Sequence, residues 1–174
     1  MRRFTFPLVF STLLSLFFVF AASAQTSTFD DKNVEYTFDL PAPLWKMTVK
    51  PTAASPNVEY VYGDRLDGHL EIRKMSVKAD DMMSDIIVRE QEQRLQFRPG
   101  FVAGKDENFA GNYRGGVFNF EYTQSGKAMS GRYYFLRSDP TTVYVLRFTG
   151  LRNQLMSIRN QIDSIARTFK VKAA

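Results

Sequence analysis

Five polar residues in the C-terminal half of the chain form the pattern with the most chemical potential. They are Asn119, Glu121, Arg132, Tyr134 and Arg147. In the antiparallel register predicted below, Asn119, Arg132 and Arg147 fall in one row across three strands. Glu121 lies one step along the same face, and Tyr134 lies on the other side of Arg132. Two guanidiniums on adjacent strands repel each other unless an anion or a carboxylate lies between them.

This arginine row predicts a site for a small anion or a ligand head group. The alternative is an internal ion pair between Glu121 and one arginine, with the other arginine extending its guanidinium to water. An Arg147→Ala variant separates the two hypotheses, because loss of stability with no change in ligand capture would support the ion pair alone.

The row depends on a predicted β-meander. Two alternating segments, residues 117–123 and 128–137, flank Ser125-Gly126, which has the composition of a two-residue hairpin turn. This turn sets Phe120 opposite Gly131, so one face of the hairpin is aromatic and the other is mixed. The predicted pairs are Tyr122 with Met129, Phe118 with Tyr133, Asn119 with Arg132, Glu121 with Ser130, and Val117 with Tyr134.

A second turn over residues 138–141 predicts a third strand. It sets Phe135 opposite Tyr144, Tyr133 opposite Leu146, and Gly131 opposite Phe148. The aromatic face would then continue across all three strands, with Gly131 leaving room for the rings of Phe120 and Phe148.

A long amphipathic helix follows the meander. Its apolar stripe consists of Leu151, Leu155, Ile158, Ile162, Ile165 and Phe169. These spacings of three and four predict a helix roughly 28 Å long with one buried side, long enough to cover the sheet. Asp163 and Arg167 are four residues apart on its polar flank. A coiled-coil seam is the alternative, but the stripe spans fewer than three heptads. The fold class is therefore α+β, a central antiparallel sheet with helices packed on its faces.

The N-terminal region has the pattern of an export signal. Arg2 and Arg3 precede a largely apolar run over residues 4–20, and Ala22-Ser23-Ala24 provides a cleavage site. The prediction is a cleaved signal peptide over residues 1–24, a flexible leader over 25–33 and a single domain over 34–172. An uncleaved membrane anchor is the alternative, but the run is short and interrupted.

Composition indicates an exported bacterial protein. The chain has no cysteine, as is more typical of a bacterial periplasm than of animal secretion. The chain has 23 Lys and Arg residues and 18 Asp and Glu residues. Cleavage of the predicted signal peptide removes Arg2 and Arg3 and leaves 21 basic against 18 acidic residues. An excess of three charges permits an anionic surface partner, but it is too small to indicate nucleic-acid binding.

The middle of the chain predicts further strands, a helix and no metal site. Strands are expected over residues 34–40, 58–62, 70–77 and 101–109, and a helix is expected after Asp80 and Asp81, which would cap it.

Asp64 and Asp67 could suggest calcium, but their spacing fits a turn. Asp80, Asp81 and Asp85 fit a helix start better than a metal cluster. Gly111, Gly115 and Gly116 do not match a nucleotide fingerprint, and Trp45 is expected to pack in the core rather than to form a ligand platform.

Catalysis has little support in these residues. The only histidine, His69, follows Gly68 and is expected to be an exposed turn residue rather than a general base. Carboxylate pairs remain possible among Glu35, Glu59, Glu71 and Glu121, which lie in predicted strands, but no spacing brings two of them together.

The order and texture of the elements resemble a known superfamily. The segments YTFDLPAPLW, GGVFNFEYT, GRYYFLR, TTVYVLRFTG and SIARTF, with a central helix, resemble the PsbP/DcrB-like superfamily over nearly the whole mature chain. The resemblance implies a central antiparallel sheet with helices on its two sides, a PsbP-like α/β/α sandwich. Its members are photosystem subunits, bacterial envelope proteins and a Ran-binding import factor, none characteristically a catalyst. Metal sites that need several histidines do not carry over to this chain.

The expected function is a non-catalytic exported accessory or binding protein of the bacterial cell envelope, with no cofactor and no metal. Its partner would be an unknown envelope protein or an anionic surface ligand, contacting a sheet face or the loops at residues 51–56 and 111–116. It would bind no nucleic acid and would have no stable membrane insertion after cleavage. The alternatives are a module that binds an anionic polymer or lipid head group, and a carboxylate-dependent hydrolase.

Overall fold

The computed structural model describes residues 26–172. The strands are β1 Ser27–Asp30, β2 Tyr36–Leu40, β3 Trp45–Val49, β4 Val58–Tyr62, β5 Asp64–Ser76, β6 Val102–Ala110, β7 Arg114–Gln124, β8 Lys127–Asp139, β9 Thr142–Leu151 and β10 Lys170–Val171. The helices are α1 Met83–Glu90, which continues as a π-helical turn over Gln91–Leu95, α2 Arg152–Ser157 and α3 Arg159–Thr168. The predicted signal peptide over residues 1–24 lies outside the described residues.

The strands form two antiparallel sheets. The large sheet has seven strands in the order β3-β4-β5-β9-β8-β7-β6, and the small sheet has three in the order β1-β2-β10. Helices α2 and α3 and the small sheet cover one face of the large sheet, here called the α3 face, and α1 covers the other, the α1 face. The predicted α+β class is confirmed. Within residues 26–172, no helix combines the length and the apolar character needed to cross a bilayer.

The first hairpin of the meander has the predicted register. Ser125 and Gly126 have φ values of 50° and 74°, the left-handed pair of a two-residue turn that suits the strand twist. The pairs Phe120 with Gly131 and Asn119 with Arg132 follow from this turn, and both are confirmed.

The predicted register of the second hairpin is wrong by one residue. Asp139 pairs with Thr142 across a tighter turn, and a bulge between Arg137 and Asp139 shifts the strands. Phe135 therefore lies opposite Val145, not Tyr144. Because the side-chain period of a strand is two, this slip moves every β9 side chain to the other face.

Both faces of the sheet therefore carry aromatic cores. The α1-face core contains Phe118, Phe120, Tyr133 and Phe135 beneath Ile86 and Ile87 of α1. The α3-face core contains Tyr134, Tyr144, Leu146 and Phe148 beneath Ile162 and Ile165 of α3. Continuous burial on both faces stabilises the central strands, at about 1.5–3 kcal/mol for each large apolar side chain.

The C-terminal helix is divided in two. Ile158 has φ −100° and ψ 10° and separates α2 from α3. The predicted stripe is nevertheless buried at Leu155, Ile158, Ile162, Ile165 and Phe169. Leu151 is the last residue of β9 and is half-buried. Both helices keep the same buried side, so the break does not change which residues of the stripe are buried.

The structure corrects the predicted leader. Ser27–Asp30 form β1, which pairs with β2 in register from Ser27 opposite Leu40. Phe29 is 4% exposed and stacks on Phe38 with ring centroids 4.8 Å apart. The polar composition of residues 25–33 concealed this single buried ring, which anchors the segment to the α3-face core.

The predicted aspartate cap of α1 is also wrong. The helix begins at Met83, and its N-cap residue Met82 makes no side-chain capping hydrogen bond. Asp81 instead accepts a hydrogen bond from the amide of Lys78 and pairs with Arg89 at 2.5 Å. These contacts hold the loop before α1 against the helix.

Candidate functional site

Three of the five predicted site residues meet on the α3 face. The guanidinium of Arg132 donates from Nε to the hydroxyl of Tyr134 at 2.6 Å and from Nη1 to Oδ1 of Asn119 at 2.7 Å. The hydroxyl of Tyr134 donates to Asp163 of α3. Asn119 donates to Glu107 on β6 at 2.9 Å. The cluster therefore ties β6, β7 and β8 to α3.

Arg132 is satisfied by carboxylates that sequence reasoning did not place beside it. It lies 3.1 Å from Asp163 and 3.5 Å from Glu107, and its side chain is 9% exposed. Burial alone would lower the pKa of Arg132, but Tyr134, Asp163 and Glu107 outweigh burial and raise it. Burial, with the hydrogen bond to Asp163, raises the pKa of Tyr134 well above its usual range. Arg132 is thus a permanent cation in a fixed position.

The predicted arginine row does not exist. Arg147 pairs with Tyr133 rather than lying beside Arg132, so the two arginines are on opposite faces. The cause is the bulge in β8, which shifts β9 by one residue. The proposed pairing of Glu121 with one of these arginines is also not found, because Glu121 lies 2.7 Å from Arg152 at the start of α2.

A groove opens beside the Arg132 cluster, between α2 and strands β6, β7 and β8. Its volume is about 430 Å³, in the range of small-molecule sites. Its lining residues are Val102, Ala103, Gly104, Asn119, Phe120, Glu121, Ser130, Gly131, Arg132, Arg152, Leu155, Met156 and Arg159. We call it the α2 groove.

The α2 groove exists because its walls lack bulk. The register of β6 on β7 shifts between Ala103 and Asp106, which bends the edge strand. A Cβ on Gly104 would lie 2.6 Å from the carbonyl oxygen of Asn119, so only glycine permits this close strand approach.

The lining combines an apolar surface with an arginine rim. Met156 and Val102 are 68% and 60% exposed, unusually high for large apolar side chains that line a cavity. Arg152 pairs with Glu121, and Arg159 lies 3.4 Å from Glu107, both in solvent-exposed ion pairs. Such exposed pairs contribute about 0–1 kcal/mol each, so a ligand anion can replace them at low cost.

The remaining predicted site residue lies on the α1 face. Arg147 is buried, with Glu71 at 3.3 Å and Glu90 at 2.8 Å. Glu90 of α1 is 4% exposed because its carboxylate turns inward to Arg147. Burial raises the pKa of Glu90 more than Arg147 and Arg94 lower it.

His69 is not the exposed turn residue that the sequence suggested. Strand β5 begins at Asp64, so His69 lies inside the paired region opposite Val61. It is 8% exposed, and its Nε2 lies 2.8 Å from Oε2 of Glu59. Asp64 does form the predicted turn, accepting hydrogen bonds from the amides of Leu66 and Asp67.

Two of the strand carboxylates are brought together after all. Glu59 and Glu71 are directly opposite each other on β4 and β5. Burial would raise the pKa of Glu71, but Arg73 and Arg147 outweigh burial and hold it below its usual value. Within residues 26–172, no group of three His, Cys, Asp or Glu side chains converges to hold a metal ion.

The fold is similar to that of known proteins. The chain has the PsbP-like α+β fold, and its solved structural neighbours include proteins of that type. No protein-family profile matches the chain, and no curated protein sequence matches it either.

Three solved structures illustrate the likeness. Cyanobacterial PsbP (CyanoP) from Synechocystis sp. PCC 6803 superposes with a TM-score of 0.62 and 14% identity over 85% of this chain and 93% of that chain. The Ran-binding protein Mog1p of Saccharomyces cerevisiae has a TM-score of 0.61 and 12% identity over 86% and 96%. LpqN, involved in cell envelope biogenesis of Mycobacterium tuberculosis, has a TM-score of 0.54 and 17% identity over 86% and 91%. At these identities the likeness shows the fold alone.

Proposed function

We propose that this protein is an exported, non-catalytic binding protein of the bacterial cell envelope, and that its α2 groove holds an anionic amphiphile. The observation that carries the proposal is the groove itself, with exposed apolar side chains at Met156 and Val102 and the guanidiniums of Arg152 and Arg159 at its rim. An acyl chain on the apolar lining and a carboxylate or phosphate head at the rim would satisfy both parts of the surface.

Export is supported by the N-terminal sequence. Arg2 and Arg3, the apolar run over residues 4–20 and the cleavage site at Ala22-Ser23-Ala24 have the order of a secretory signal. LpqN, one of the structural neighbours, is involved in cell envelope biogenesis. The absence of cysteine from the chain is also typical of proteins of the bacterial periplasm.

A binding role is favoured over hydrolysis. A carboxylate hydrolase needs one acid that stays protonated near neutral pH. Glu71, which faces Glu59 across two strands, has a lowered pKa because Arg73 and Arg147 stabilise its ionised form. The pair is therefore better suited to a structural ion network than to general acid catalysis.

An amphiphile is favoured over an anionic polymer. The rim and cluster cations Arg132, Arg152 and Arg159 are matched by Glu107, Glu121 and Asp163 in ion pairs. A polymer bound through charge alone would require an uncompensated positive surface. The exposed apolar lining supplies the attraction that the balanced charges do not.

Titration with decanoate below its micellar concentration tests this function, with chemical shifts of backbone amides as the readout. We expect saturable shifts in the α2 groove. A Met156→Glu variant should weaken decanoate binding about tenfold or more, because covering the exposed methionine side chain with the acyl chain would contribute about 1.5–3 kcal/mol. Met82→Glu is the matched control, since Met82 on the α1 face is 66% exposed, against 68% for Met156.

The head-group contribution is tested with decanol. Replacing the carboxylate by a hydroxyl should weaken binding by up to about fivefold, the range of an exposed ion pair. Arg152→Gln should remove this preference while leaving decanol binding unchanged. Equal effects of Met156→Glu and Met82→Glu, or the absence of any saturable shift, would contradict the proposal.

A further inference from the structure

A second cavity, unrelated to the α2 groove, lies on the α1 face of the sheet. Its volume is about 230 Å³. It is lined by Arg65, Leu66, His69, Glu71, Arg98, Tyr122, Gln124, Met129, Tyr133, Arg147 and Thr149. We call it the α1-face cavity. Its lining is dominated by polar side chains, and its size suits a small ion or a single small polar group rather than a large apolar ligand.

A buried guanidinium that is incompletely hydrogen-bonded belongs to the lining of this cavity. Arg147 is 4% exposed, and its Nε–H has no hydrogen-bond partner within the described part of the chain. Its Nη2 lies 2.8 Å from Oε1 of Glu90, but this ion pair is not aligned as a hydrogen bond. An incompletely paired buried cation is costly, so an anion beside the guanidinium of Arg147 would be favoured.

The cations that line the cavity outnumber the carboxylates. Arg65, Arg98 and Arg147 line it, and Glu71 is the lining carboxylate. Glu59 and Glu90, which pair with Arg65 and Arg147, lie outside the lining, as do Arg73 and Arg94, which pair with Glu71 and Glu90. With His69 counted as neutral, the lining carries three positive charges and one negative charge. The guanidinium of Arg147 is buried, where electrostatic attraction is stronger than in bulk water.

Arg98 carries one of the uncompensated charges. Among residues 26–172 it has no carboxylate within ion-pair distance, and its guanidinium rests on the ring of Tyr122 at 4.4 Å from the centroid. This stacking fixes the plane of the guanidinium while leaving its N–H donors free. Tyr133, 3% exposed, also lines the cavity, and the guanidinium of Arg147 lies 5.7 Å from the centroid of its ring.

We propose that the α1-face cavity binds a tetrahedral, doubly charged oxyanion, namely a phosphate group. Such an ion has enough acceptors to receive hydrogen bonds from the guanidinium of Arg98 and the hydroxyl of Tyr133 while it lies beside the guanidinium of Arg147, since all three residues line the cavity. Its two negative charges match the excess of the arginines over the glutamates. A chloride ion carries a single negative charge and would leave part of that excess uncompensated.

The test is titration with inorganic phosphate at constant ionic strength, using sodium chloride as the balancing salt. The readouts are calorimetry and the ¹⁵N–¹H signal of the Arg147 Nε–H, which reports the unpaired donor directly. We expect saturable binding and a shift of that signal. Arg98→Gln should weaken phosphate binding about tenfold or more, as expected for a hydrogen bond to a charged group.

Arg159→Gln is the matched control. It removes the same charge from the opposite face, where Arg159 is paired with Glu107, and should change phosphate affinity by less than about twofold. Arg98→Gln should fold normally, because a single cation–π contact at a partly exposed site contributes little to stability. Equal weakening by both variants, or no phosphate effect beyond that of chloride, would overturn the proposal.

A parallel titration with glycerol 3-phosphate identifies the source of the phosphate group. Binding of the ester as tightly as the free ion would support an esterified phosphate such as a lipid head group. Binding of inorganic phosphate alone would support the free ion. Neither result depends on the α2 groove, since the two cavities lie on opposite faces of the sheet and share no lining residue.

Discussion

Replacing Gly131 by alanine should destabilise the protein through a single neighbour, Phe120. The two residues are directly opposite each other in the β7–β8 hairpin, and the phenyl ring lies over the Gly131 Cα. A Cβ at this position would overlap the ring, with Cε2 at 2.7 Å. The ring cannot move aside easily, because Phe120 is 2% exposed and packs edge-on against Tyr133, with centroids 5.0 Å apart.

The expected loss follows from two opposing terms. Overpacking of this kind costs about 1–3 kcal/mol. Replacing glycine by alanine returns about 0.4–1 kcal/mol, because the unfolded chain becomes less flexible. The net loss in the free energy of unfolding should therefore be about 1–2 kcal/mol, measured by urea denaturation.

A double-mutant cycle with Phe120→Leu isolates the contact. The double variant should be more stable than the sum of the single losses predicts, by about 1–2 kcal/mol, because the smaller side chain leaves room for the new methyl group. The matched cycle uses Phe148→Leu, which the sequence also placed beside Gly131 but which the structure pairs with Arg132. This second cycle should be additive within about 0.5 kcal/mol. Additivity in the Phe120 cycle, or coupling of equal size in both, would refute the reasoning.

Three further predictions concern stability. Arg147→Met should cost about 3–5 kcal/mol in the free energy of unfolding, because it leaves Glu90 buried without its partner, and adding Glu90→Leu should recover most of that loss. Ile162→Ala should cost about 2–5 kcal/mol by opening a cavity beneath α3, where the side chain is fully buried. The hydrogen bond from Lys74, opposed by burial, lowers the pKa of Glu35 from 4.5 to about 2. The ionised carboxylate therefore stabilises the fold above pH 4.5, and this contribution disappears as the pH falls towards 2. Glu35→Gln should lower the thermal midpoint at pH 7 and leave it unchanged at pH 2, and a gap that persists at pH 2 would contradict the assignment.

The sequence predicted what short-range geometry determines. The two-residue turn at Ser125-Gly126 allows one register, so Asn119 was correctly placed beside Arg132. The apolar stripe of the C-terminal helices was equally clear, because its spacing depends only on helical periodicity. The bulge before Asp139 was not predicted from the sequence, because two turns that differ by one residue in length could both connect β8 and β9. That one residue decided the face on which Arg147 lies.

The sequence pattern did not predict the long-range contacts of the site. Asp163 was assigned to a surface pair with Arg167, but it lies against Arg132 and Tyr134. The helix periodicity gave its buried side correctly, but the contact also depends on where α3 crosses the sheet. Glu107 was missed for the same reason, because the bend of the edge strand brings it over the Arg132 cluster. The sequence shows which residues are charged, but the packing of the helices on the sheet determines which of them form ion pairs.

The most direct test of the α2 groove is an NMR measurement of contacts between bound decanoate and the methionine methyl groups. The account predicts nuclear Overhauser effects from the acyl chain to the ε-methyl of Met156, which lines the groove, and none to Met82, which is equally exposed on the other face. Contacts to Met82 of equal strength, or to neither methionine at saturating decanoate, would contradict it.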